Sequence, residues 1–418
     1  MIFQINPFTR NCLFTLVIIY FLAGCKSQEK DLTIEEYLQT HVEWLASDER
    51  GGRLAGSIHE ADAANYISDR FLRYGLLPMV ERLRYIQLFE LTGPIPQLLG
   101  VDNHVSRNVI GAVPGSEYPD RFIIIGAHYD GQGMGGLISM DSGNEPQIHN
   151  SADDNASGTA GLLWLAKHFA SNPAQNTIIF AAFSGEELGL LGSRWFVANL
   201  EMPKDSVLAM INLDMIGRLD DGKLDIFGTG TANIWDSLLD EIQADSLTIT
   251  RTPGGMGSSD HAAFYEAGIP ALHYHTGTHD DYHRSSDTAE KINYTGIRWV
   301  LAHVEKTVMM VDSFSPDEIE FRESTDPRPA AMRRDGIGLG VVPDYRFSGT
   351  GLRIDSVRSG NSGDRAGMKD GDIVIKIGER YIADIYEYMN FMNGVEPGDK
   401  YPVVVLRGDE ELELTVIF

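Results

Sequence analysis

The sequence predicts an α/β fold, in which a mixed, largely parallel sheet flanked by helices precedes a small β-rich domain. Four short apolar runs bounded by turn residues are typical of buried parallel strands, and they cover residues 122–127, 177–183, 207–213 and 269–275. Between the first two lies SGTAGLLWLAKHFASN, an amphipathic run in which Ser157 can cap a helix. Strand, helix and strand in this order predict right-handed crossovers in one sheet.

Changes in composition divide the 418 residues into segments. Apolar residues at helical spacing begin near residue 35, and a stretch rich in proline and charge precedes the Gly-rich C-terminal part. We predict a signal peptide over 1–24, a tether over 25–34, the α/β domain over 35–312, a linker over 313–335 and the small domain over 336–418.

The N-terminal segment has the features of a secretory signal. Arg10 precedes the apolar run at 13–24, which is too short for a membrane span. The run ends in LAGC, which resembles the bacterial lipobox and predicts a lipid anchor on Cys25 and a membrane-anchored, extracytoplasmic lipoprotein. The alternative is an ordinary signal followed by an incidental cysteine. Cys12 would leave with the signal, so no disulfide is expected.

The formal net charge of −26 bears on the class of partner. Contacts with phosphate require clustered Lys and Arg, so nucleic acid is not an expected partner. The charge implies a soluble protein that disfavours strongly anionic substrates.

Acidic residues and histidines follow the predicted strands. The candidate metal ligands are His128 in GAHYD, Asp153 in SADDNASG, Glu187 in SGEELG, Asp214 in NLDMIG and His283 in DYHRSSDT. Each lies at or just beyond the carboxyl end of an apolar run, which is where open α/β sheets bind ligands. Each fragment alone is weak evidence, but their order along the chain indicates one metal site.

The residue types suit this role. Asp130 lies two residues after His128, where its carboxylate can accept a hydrogen bond from the imidazole nitrogen that does not bind metal. A carboxylate at Asp153 can bridge two cations through its two oxygens. Asp214 ends an apolar run in which an unpaired charge would be costly to bury, so a cation is its natural partner.

Glu186 and Glu187 directly follow a buried strand, where neighbouring side chains diverge. One carboxylate can therefore bind metal while the other faces the attacking water. His283 is not selected by position over His273, His275 or His279. The pattern YHxxxDT selects it, with Asp287 as a residue that orients the ligands from outside.

Charge and ligand type indicate zinc. Asp153, Glu187 and Asp214 contribute three negative charges against four positive charges of two divalent ions, which leaves room for a hydroxide. Oxygen and nitrogen ligands without thiolate suit zinc, with cobalt or manganese as substitutes. Two such ions would activate water and polarise an amide carbonyl, with Glu186 as general base.

These motifs resemble the co-catalytic dizinc aminopeptidase family, which includes glutamate carboxypeptidases and glutaminyl cyclases. The resemblance covers about residues 35–312. It implies that Asp153 bridges the ions, that His128 and Asp214 complete one of them, and that Glu187 and His283 complete the other. It also implies a cis peptide bond between Asp153 and Asp154, Glu186 as general acid and base, and an oxyanion role for Tyr282. Asp154 would orient ligands without binding metal.

The small domain resembles a PDZ domain of the bacterial protease type. The resemblance lies in GIGLGV, in GDRAGMKDGDIVIKIG and in VVVLRG, and Leu339, Gly340 and Val341 match the carboxylate-binding loop. It implies binding of peptide C-termini through backbone amides and an exposed strand edge. The alternative is a β domain that only packs on the catalytic domain.

The resemblance leaves several activities open. Removal of N-terminal residues from peptides is the first expectation. Carboxypeptidase action would need cations for the substrate carboxylate, for which Arg218, Arg251 and Arg284 are candidates. Glutaminyl cyclisation generally goes with one zinc ion, so the five-ligand set argues mildly against it. An inert PDZ adaptor is the alternative of another class, although no ligand or base is missing.

Overall fold

The computed structural model describes residues 32–80, 84–135, 139, 141, 146–323, 338–343, 350–357, 360–382, 388, 391–392, 395–408 and 410–418. The predicted signal peptide, the anchor at Cys25, most of the tether and the end of the predicted linker lie outside the described residues.

The described part of the chain forms helices and strands that alternate through the first domain. The helices are α1 (Ile34–Leu45), α2 (Ile58–Tyr74), α3 (Pro94–Leu99), α4 (Gly158–Ser171), α5 (Leu191–Ala198), α6 (Trp235–Glu241), α7 (His261–Glu266), α8 (Tyr294–Asp312) and α9 (Ser362–Ala366). The strands are β1 (Leu77–Pro78), β2 (Ile86–Glu90), β3 (Val105–Val113), β4 (Tyr118–His128), β5 (Asn176–Phe183), β6 (Val207–Leu213), β7 (Lys223–Phe227), β8 (Thr248–Thr252), β9 (Ala271–His275), β10 (Val341–Pro343), β11 (Leu352–Val357), β12 (Ile373–Ile377), β13 (Arg380–Tyr381), β14 (Lys400–Arg407) and β15 (Glu410–Ile417).

The first domain is built on a mixed sheet with the strand order β1-β3-β5-β4-β6-β9-β7-β8, and β2 pairs with β3. Its centre is parallel, because β4 pairs in parallel with β5 and β6, and β6 pairs in parallel with β9. Antiparallel pairs occur toward the edges, at β3 with β5 and at β7 with β9. The predicted mixed sheet is confirmed, with parallel pairs at its centre and between β7 and β8.

Helices cover both faces of this sheet, which explains why its central strands are continuous apolar runs. Successive side chains of a strand point to opposite faces. Ile123 and Ile125 accordingly pack in the core that contains Phe71 of α2, whereas Ile124 packs in the second core with Phe264 of α7. Both cores are closed to solvent.

The start of α4 differs from the prediction. We predicted Ser157 as the capping side chain, but its Oγ donates to the carbonyl of Asp153 at 2.8 Å. The side chain of Asn155 makes the cap instead, since its Oδ1 accepts from the amide of Gly158 at 2.9 Å. The capping prediction was wrong, because the turn before the helix points the Asn155 side chain toward the first amides.

The described residues of the C-terminal part form an antiparallel sheet in the order β10-β11-β12-β14-β15, with β13 paired to β12. Its core contains Leu339, Leu352, Val374 and Val403, which are all buried. The predicted small β-rich domain is therefore present.

Candidate metal centre

The parallel strands bring three of the predicted ligand positions to one edge of the sheet. His128 is the last residue of β4, and Glu187 follows the end of β5 by four positions. Asp214 directly follows β6. Because β4 pairs in parallel with both β5 and β6, these ends lie next to one another. The edge-of-sheet placement that the sequence predicted is confirmed for these residues.

Two groups of donor atoms converge at this edge, and they share one residue. The first group is His128, Asp154 and Asp214, and the second is Asp154, Glu187 and His283. Within each group the donor atoms all lie within 4.8 Å of one another. Asp154 Oδ1 is 3.2 Å from His128 Nε2, and Asp154 Oδ2 is 3.3 Å from His283 Nε2. The carboxylate of Asp154 therefore faces both groups at once.

The structure corrects the prediction for the shared carboxylate by one residue. We predicted Asp153 as the bridging ligand and Asp154 as an orienting residue, but it is Asp154 that lies between the two histidines. The cis peptide bond also lies one position later than predicted, between Asp154 and Asn155. The physical reason is the turn over Ala152–Ser157, which points adjacent side chains in different directions.

Asp153 is engaged outside the donor groups. Its Oδ1 accepts from the amide of Gly217 at 2.6 Å, and its Oδ2 is 3.1 Å from Nε2 of His279. Asp287 supports the same turn, because its Oδ2 accepts from the amides of Asp153 and Asp154 at 2.8 and 3.1 Å. The predicted orienting position of Asp287 thus has a direct geometric basis.

The carboxyl groups at this edge are buried, and their negative charges repel one another. Burial raises the pKa of Glu186 well above its usual value, and it raises the pKa of Glu187 to about 8 with a contribution from the nearby Asp154. Burial lowers the pKa of His128, but Asp214 and Glu186 outweigh that effect, so the net pKa lies well above the ordinary value. The site therefore favours positive charge.

The donor set fits a zinc ion in each group. Imidazole nitrogens and carboxylate oxygens without thiolate are ligands that zinc accepts. His128 Nε2 has oxygens of Asp154 and Asp214 each at 3.2 Å, and a single N–H group can donate fully to only one of them. A cation among these atoms would be ligated by all of them and would offset the carboxylate charge.

Glu186 lies beside the donor groups without belonging to either. Its carboxylate interacts electrostatically with His128 and Asp214. Its backbone amide donates to Asp130 Oδ1 at 3.3 Å. Asp130 Oδ1 is also 3.6 Å from Nδ1 of His128, which is longer than an ordinary hydrogen bond. Asp130 thus links the histidine to the Glu186 backbone, close to the orienting role that the sequence predicted.

Tyr282 lies beside the second donor group. Its ring centroid is 3.9 Å from that of His283, and the two rings are tilted by 30°. The backbone of His283 has φ of 55°, which is unusual for a residue other than glycine. The turn that carries this histidine is therefore held in a conformation that the surrounding contacts must support.

Sequence reasoning missed Arg53, which is fully buried next to the site. Its guanidinium donates to the carbonyls of Leu45, Tyr129, Asn150 and Ser151. Burial lowers its pKa to about 10, although Asp130 and Asp287 work in the opposite direction. The side chain remains charged at neutral pH and offsets part of the carboxylate charge. The Gly- and Arg-rich sequence around Arg53 did not indicate that its side chain is buried beside the site.

We expect Arg53→Met to destabilise the protein by about 3 to 5 kcal/mol, because it leaves buried carbonyls without donors and removes a buried counter-charge. Urea unfolding of metal-free protein measures this free energy. Arg50→Ala is the matched control from the same turn. Arg50 is partly exposed, 3.7 Å from Asp62 and 4.4 Å from the centre of the Trp44 ring, so its loss should cost only about 1 kcal/mol. Equal effects of the two substitutions would contradict the assignment.

Asp260 is a second residue that the sequence did not reveal. Its side chain is fully buried, and the side chain of Ser193 offers its carboxylate a hydrogen bond. Burial raises its pKa to about 7, with Asp130 and Asp214 adding to the effect and His128 opposing it. Complete burial is rare for an aspartate unless it is paired, and the sequence around Asp260 resembles an ordinary helix start.

The loop predicted to bind a carboxylate in the small domain lies among the described residues. Leu339 is buried, and its amide donates to the hydroxyl of Tyr388 at 3.1 Å. Gly340 has φ of 68°, and a Cβ atom there would lie 2.1 Å from Cβ of Asn361. Val341 begins β10. The sequence pattern at Gly340 is therefore explained by both backbone conformation and close packing.

Comparison with known proteins connects these two parts of the chain to families. Residues 108–308 match the family model described as peptidase family M28, and this range contains both donor groups and Glu186. This part of the chain belongs to peptidase family M28. Residues 331–418 match the PDZ domain model, so a PDZ domain follows the M28 domain. This match begins inside the predicted linker, and the position of the domain boundary stays a prediction.

Curated relatives support the family. The chain is 32% identical over 215 residues to aminopeptidase YwaD of Bacillus subtilis. The matched region covers 47% of this chain and 43% of that protein. The chain is 30% identical over 226 residues to leucine aminopeptidase 1 of Arthroderma otae, covering 50% of this chain and 58% of that protein. The chain thus spans about half the length of these relatives.

Solved structures share the fold of this part of the chain. A zinc aminopeptidase from Bacillus subtilis superposes with a TM-score of 0.52 and 20% identity, covering 70% of this chain and 99% of that one. A glutaminyl cyclase from Tannerella forsythia superposes with a TM-score of 0.53 and 17% identity, covering 66% of this chain and 98% of that one. At these identities the likeness shows the fold alone.

Proposed function

We propose that this M28 protein is a zinc-dependent aminopeptidase that removes N-terminal residues from peptides with two zinc ions. The observation that carries the proposal is that Asp154 belongs to both donor groups while Glu186 lies beside them. His128 and Asp214 would hold one ion, Glu187 and His283 the other, and Asp154 both. Cobalt or manganese would substitute for zinc.

Zinc at these positions would supply Lewis-acid chemistry, which activates a water molecule and polarises the scissile carbonyl. The chain's own contribution is the movement of the proton. Glu186 would accept a proton from the attacking water and return it to the leaving amine. Burial raises the pKa of Glu186 in the metal-free chain, which suits the step in which it gives a proton to the leaving amine, and the positive charge of bound zinc would favour its ionised, proton-accepting form. Asp130 fixes the Glu186 backbone by accepting its amide hydrogen.

Tyr282 is proposed to stabilise the oxyanion that develops on the scissile carbonyl. Its position against the ring of His283 supports this role, since it places the tyrosine beside the second donor group.

The charges around the site favour an amino group over a carboxylate as the recognised end of the substrate. Glu186 and Asp260 add buried carboxyl groups beside the donor groups, and their oxygens would accept hydrogen bonds from an N-terminal ammonium. The arginines considered for carboxypeptidase action have acidic or carbonyl partners. Arg218 pairs with Asp281 at 2.8 Å, Arg251 pairs with Asp240 at 2.7 Å, and Arg284 donates to a backbone carbonyl.

The activity is tested with zinc-loaded protein and aminoacyl anilides. Unblocked substrates should be hydrolysed, N-acetylated equivalents should not, and a chelator should abolish the reaction. Two further substrates are tested in the same assay. One is a peptide with an N-terminal glutamine, and the other is a peptide with a blocked N-terminus and a free C-terminus. Cyclisation of the glutamine without hydrolysis would replace the proposal with a glutaminyl cyclase, and release of C-terminal residues would replace it with a carboxypeptidase. No turnover at all would favour the inert adaptor.

We propose that the PDZ domain binds peptide C-termini at Leu339, Gly340 and Val341. We expect full-length protein to bind a peptide with a free C-terminus and to lose about tenfold in affinity, or about 1.4 kcal/mol, when the peptide is amidated. Gly340→Ala should remove the binding, because its Cβ atom would collide with Asn361. Gly360→Ala is the matched control, since Gly360 has φ of 79° but open space around it. Equal binding of free and amidated peptides would contradict the proposal.

We also propose a lipid anchor on Cys25 and an extracytoplasmic, membrane-bound location. Within the described residues, no helix has the length and apolar character that crossing a membrane requires. We expect metabolic labelling with a radioactive fatty acid in a bacterial host to mark the wild-type chain but not Cys25→Ser. Cys12→Ser is the matched control and should still be labelled. Labelling of Cys25→Ser would contradict the anchor.

A further inference from the structure

Two histidine and aspartate pairs join the same two turns of the chain. One turn carries Asp153 and Asp154, and the other carries His279 and His283. His283 Nε2 is 3.3 Å from Asp154 Oδ2, and this pair belongs to the second donor group. His279 Nε2 is 3.1 Å from Asp153 Oδ2, and this pair belongs to neither donor group. The second pair is therefore not part of a donor group, and its role differs from metal ligation.

The hydrogen bonds around His279 fix which nitrogen carries the proton. Its Nδ1 accepts from the amide of Asp281 at 3.2 Å, so the ring N–H lies on Nε2 and is donated to Asp153. The other oxygen of Asp153 accepts from the amide of Gly217 at 2.6 Å. Asp153 is fully buried. A hydrogen bond to a buried carboxylate is strong, so this pair can hold the two turns at a fixed separation.

All of these contacts join protein atoms alone. The two turns are also tied by Asp287, whose carbonyl accepts from the amide of Ala152 at 3.2 Å and whose carboxylate accepts from the amides of Asp153 and Asp154. His283 needs such support, because its left-handed backbone conformation is unfavourable for any residue that has a Cβ atom. By contrast, His128 and Asp214 are placed by strands β4 and β6. The second donor group depends more on the turns than the first.

We infer that His279 is a positioning residue: with Asp153 it forms a clamp that sets His283 before metal arrives and gives the second donor group its zinc affinity. This inference rests on the proposed zinc function of the two donor groups. The clamp acts through His283, and His279 itself belongs to neither donor group. Residues that orient metal ligands in this way typically change metal affinity by about 10- to 100-fold when they are replaced.

The test measures zinc affinity of the full chain by competition with a chelator. We expect wild-type protein to bind two ions, and His279→Ala to bind one of them about 10- to 100-fold more weakly while the other changes less than about threefold. His279→Gln should restore most of the affinity, because its side-chain amide can donate to Asp153. His283→Ala identifies the affected ion, and adding His279→Ala to it should weaken zinc no further.

His168→Ala is the matched control. His168 Nε2 also pairs with a carboxylate, Glu305, at 3.2 Å, but on the surface between α4 and α8. This variant should bind both ions as the wild type does. The inference would be overturned if His279→Ala kept both affinities, if it lost both equally, or if the glutamine variant were as weak as the alanine variant.

A second readout needs no metal. In metal-free protein, hydrogen exchange of the segment 276–287 should be faster in His279→Ala than in wild type, whereas His283→Ala should leave it nearly unchanged. Unchanged exchange in His279→Ala would overturn the clamp. Wild-type protein that binds no zinc would refute the proposed function, yet the exchange measurement would still decide whether the clamp exists. The two failures are thus distinguishable.

Discussion

Glu186→Gln is expected to lower kcat by about 100- to 10,000-fold, which is the range that a general base contributes. The amide has nearly the same shape as the carboxylate but cannot take the proton of the attacking water. Glu186 lies outside both donor groups, so bound zinc should be unchanged. The measurement is the hydrolysis rate of an unblocked aminoacyl anilide at saturating substrate, together with zinc content by elemental analysis.

Glu187→Gln is the matched control, since it makes the same chemical change one residue along. Glu187 belongs to the second donor group, so this variant should lose zinc affinity together with activity. We assign Glu186 as the base and Glu187 as a metal ligand. This assignment would be contradicted if Glu186→Gln lost zinc, or if it kept full activity with zinc bound.

Asp154→Asn is expected to have the largest effect on metal binding. Asp154 is the one residue that both donor groups share, and the substitution removes one of the three negative charges that would balance two zinc ions. Replacement of residues that only orient ligands costs about 10- to 100-fold in metal affinity, so loss of the shared ligand should exceed about 100-fold and abolish hydrolysis. Competition with a chelator measures the affinity.

Asp153→Asn tests the same point from the neighbouring position. Asp153 accepts hydrogen bonds from Gly217 and His279, so its loss should disturb the turn and weaken one zinc by about tenfold, as loss of an orienting residue does. If Asp153→Asn weakened zinc more than Asp154→Asn, the shared role would return to Asp153.

The centre of the sheet could be predicted from the sequence because its strands are buried on both faces. Their continuous apolar runs therefore mark β4, β5, β6 and β9, and parallel pairing brings the residues after them to one edge. The outer strands β2, β7 and β8 each include exposed and partly exposed residues, so no continuous apolar run marks them. These strands were not identified from the sequence.

The site was predictable to within one residue where the backbone is regular and less so where it turns. His128, Glu187 and Asp214 follow strands, and the structure brings their side chains together. Asp153 and Asp154 are chemically identical neighbours on an irregular turn, so only the backbone conformation shows which side chain faces the histidines. Among the four histidines of the C-terminal edge, the YHxxxDT pattern selected His283, and the structure gives His279 a different partner.

Residues that act through long-range contacts left no local signal. Arg53 reaches carbonyls up to 98 positions away in the chain, and no periodic pattern or short motif records such a contact. Asp260 lies at the start of α7, where an aspartate would ordinarily be interpreted as a helix cap. Its complete burial is visible only in three dimensions.

The most direct test of the account is an anomalous difference map at the zinc absorption edge from crystals of the zinc-loaded protein. The account predicts two peaks on either side of the Asp154 carboxylate, one within ligand distance of His128 and Asp214 and the other within ligand distance of Glu187 and His283. A map without zinc among these residues, or with ions held by Asp153 in place of Asp154, would contradict it.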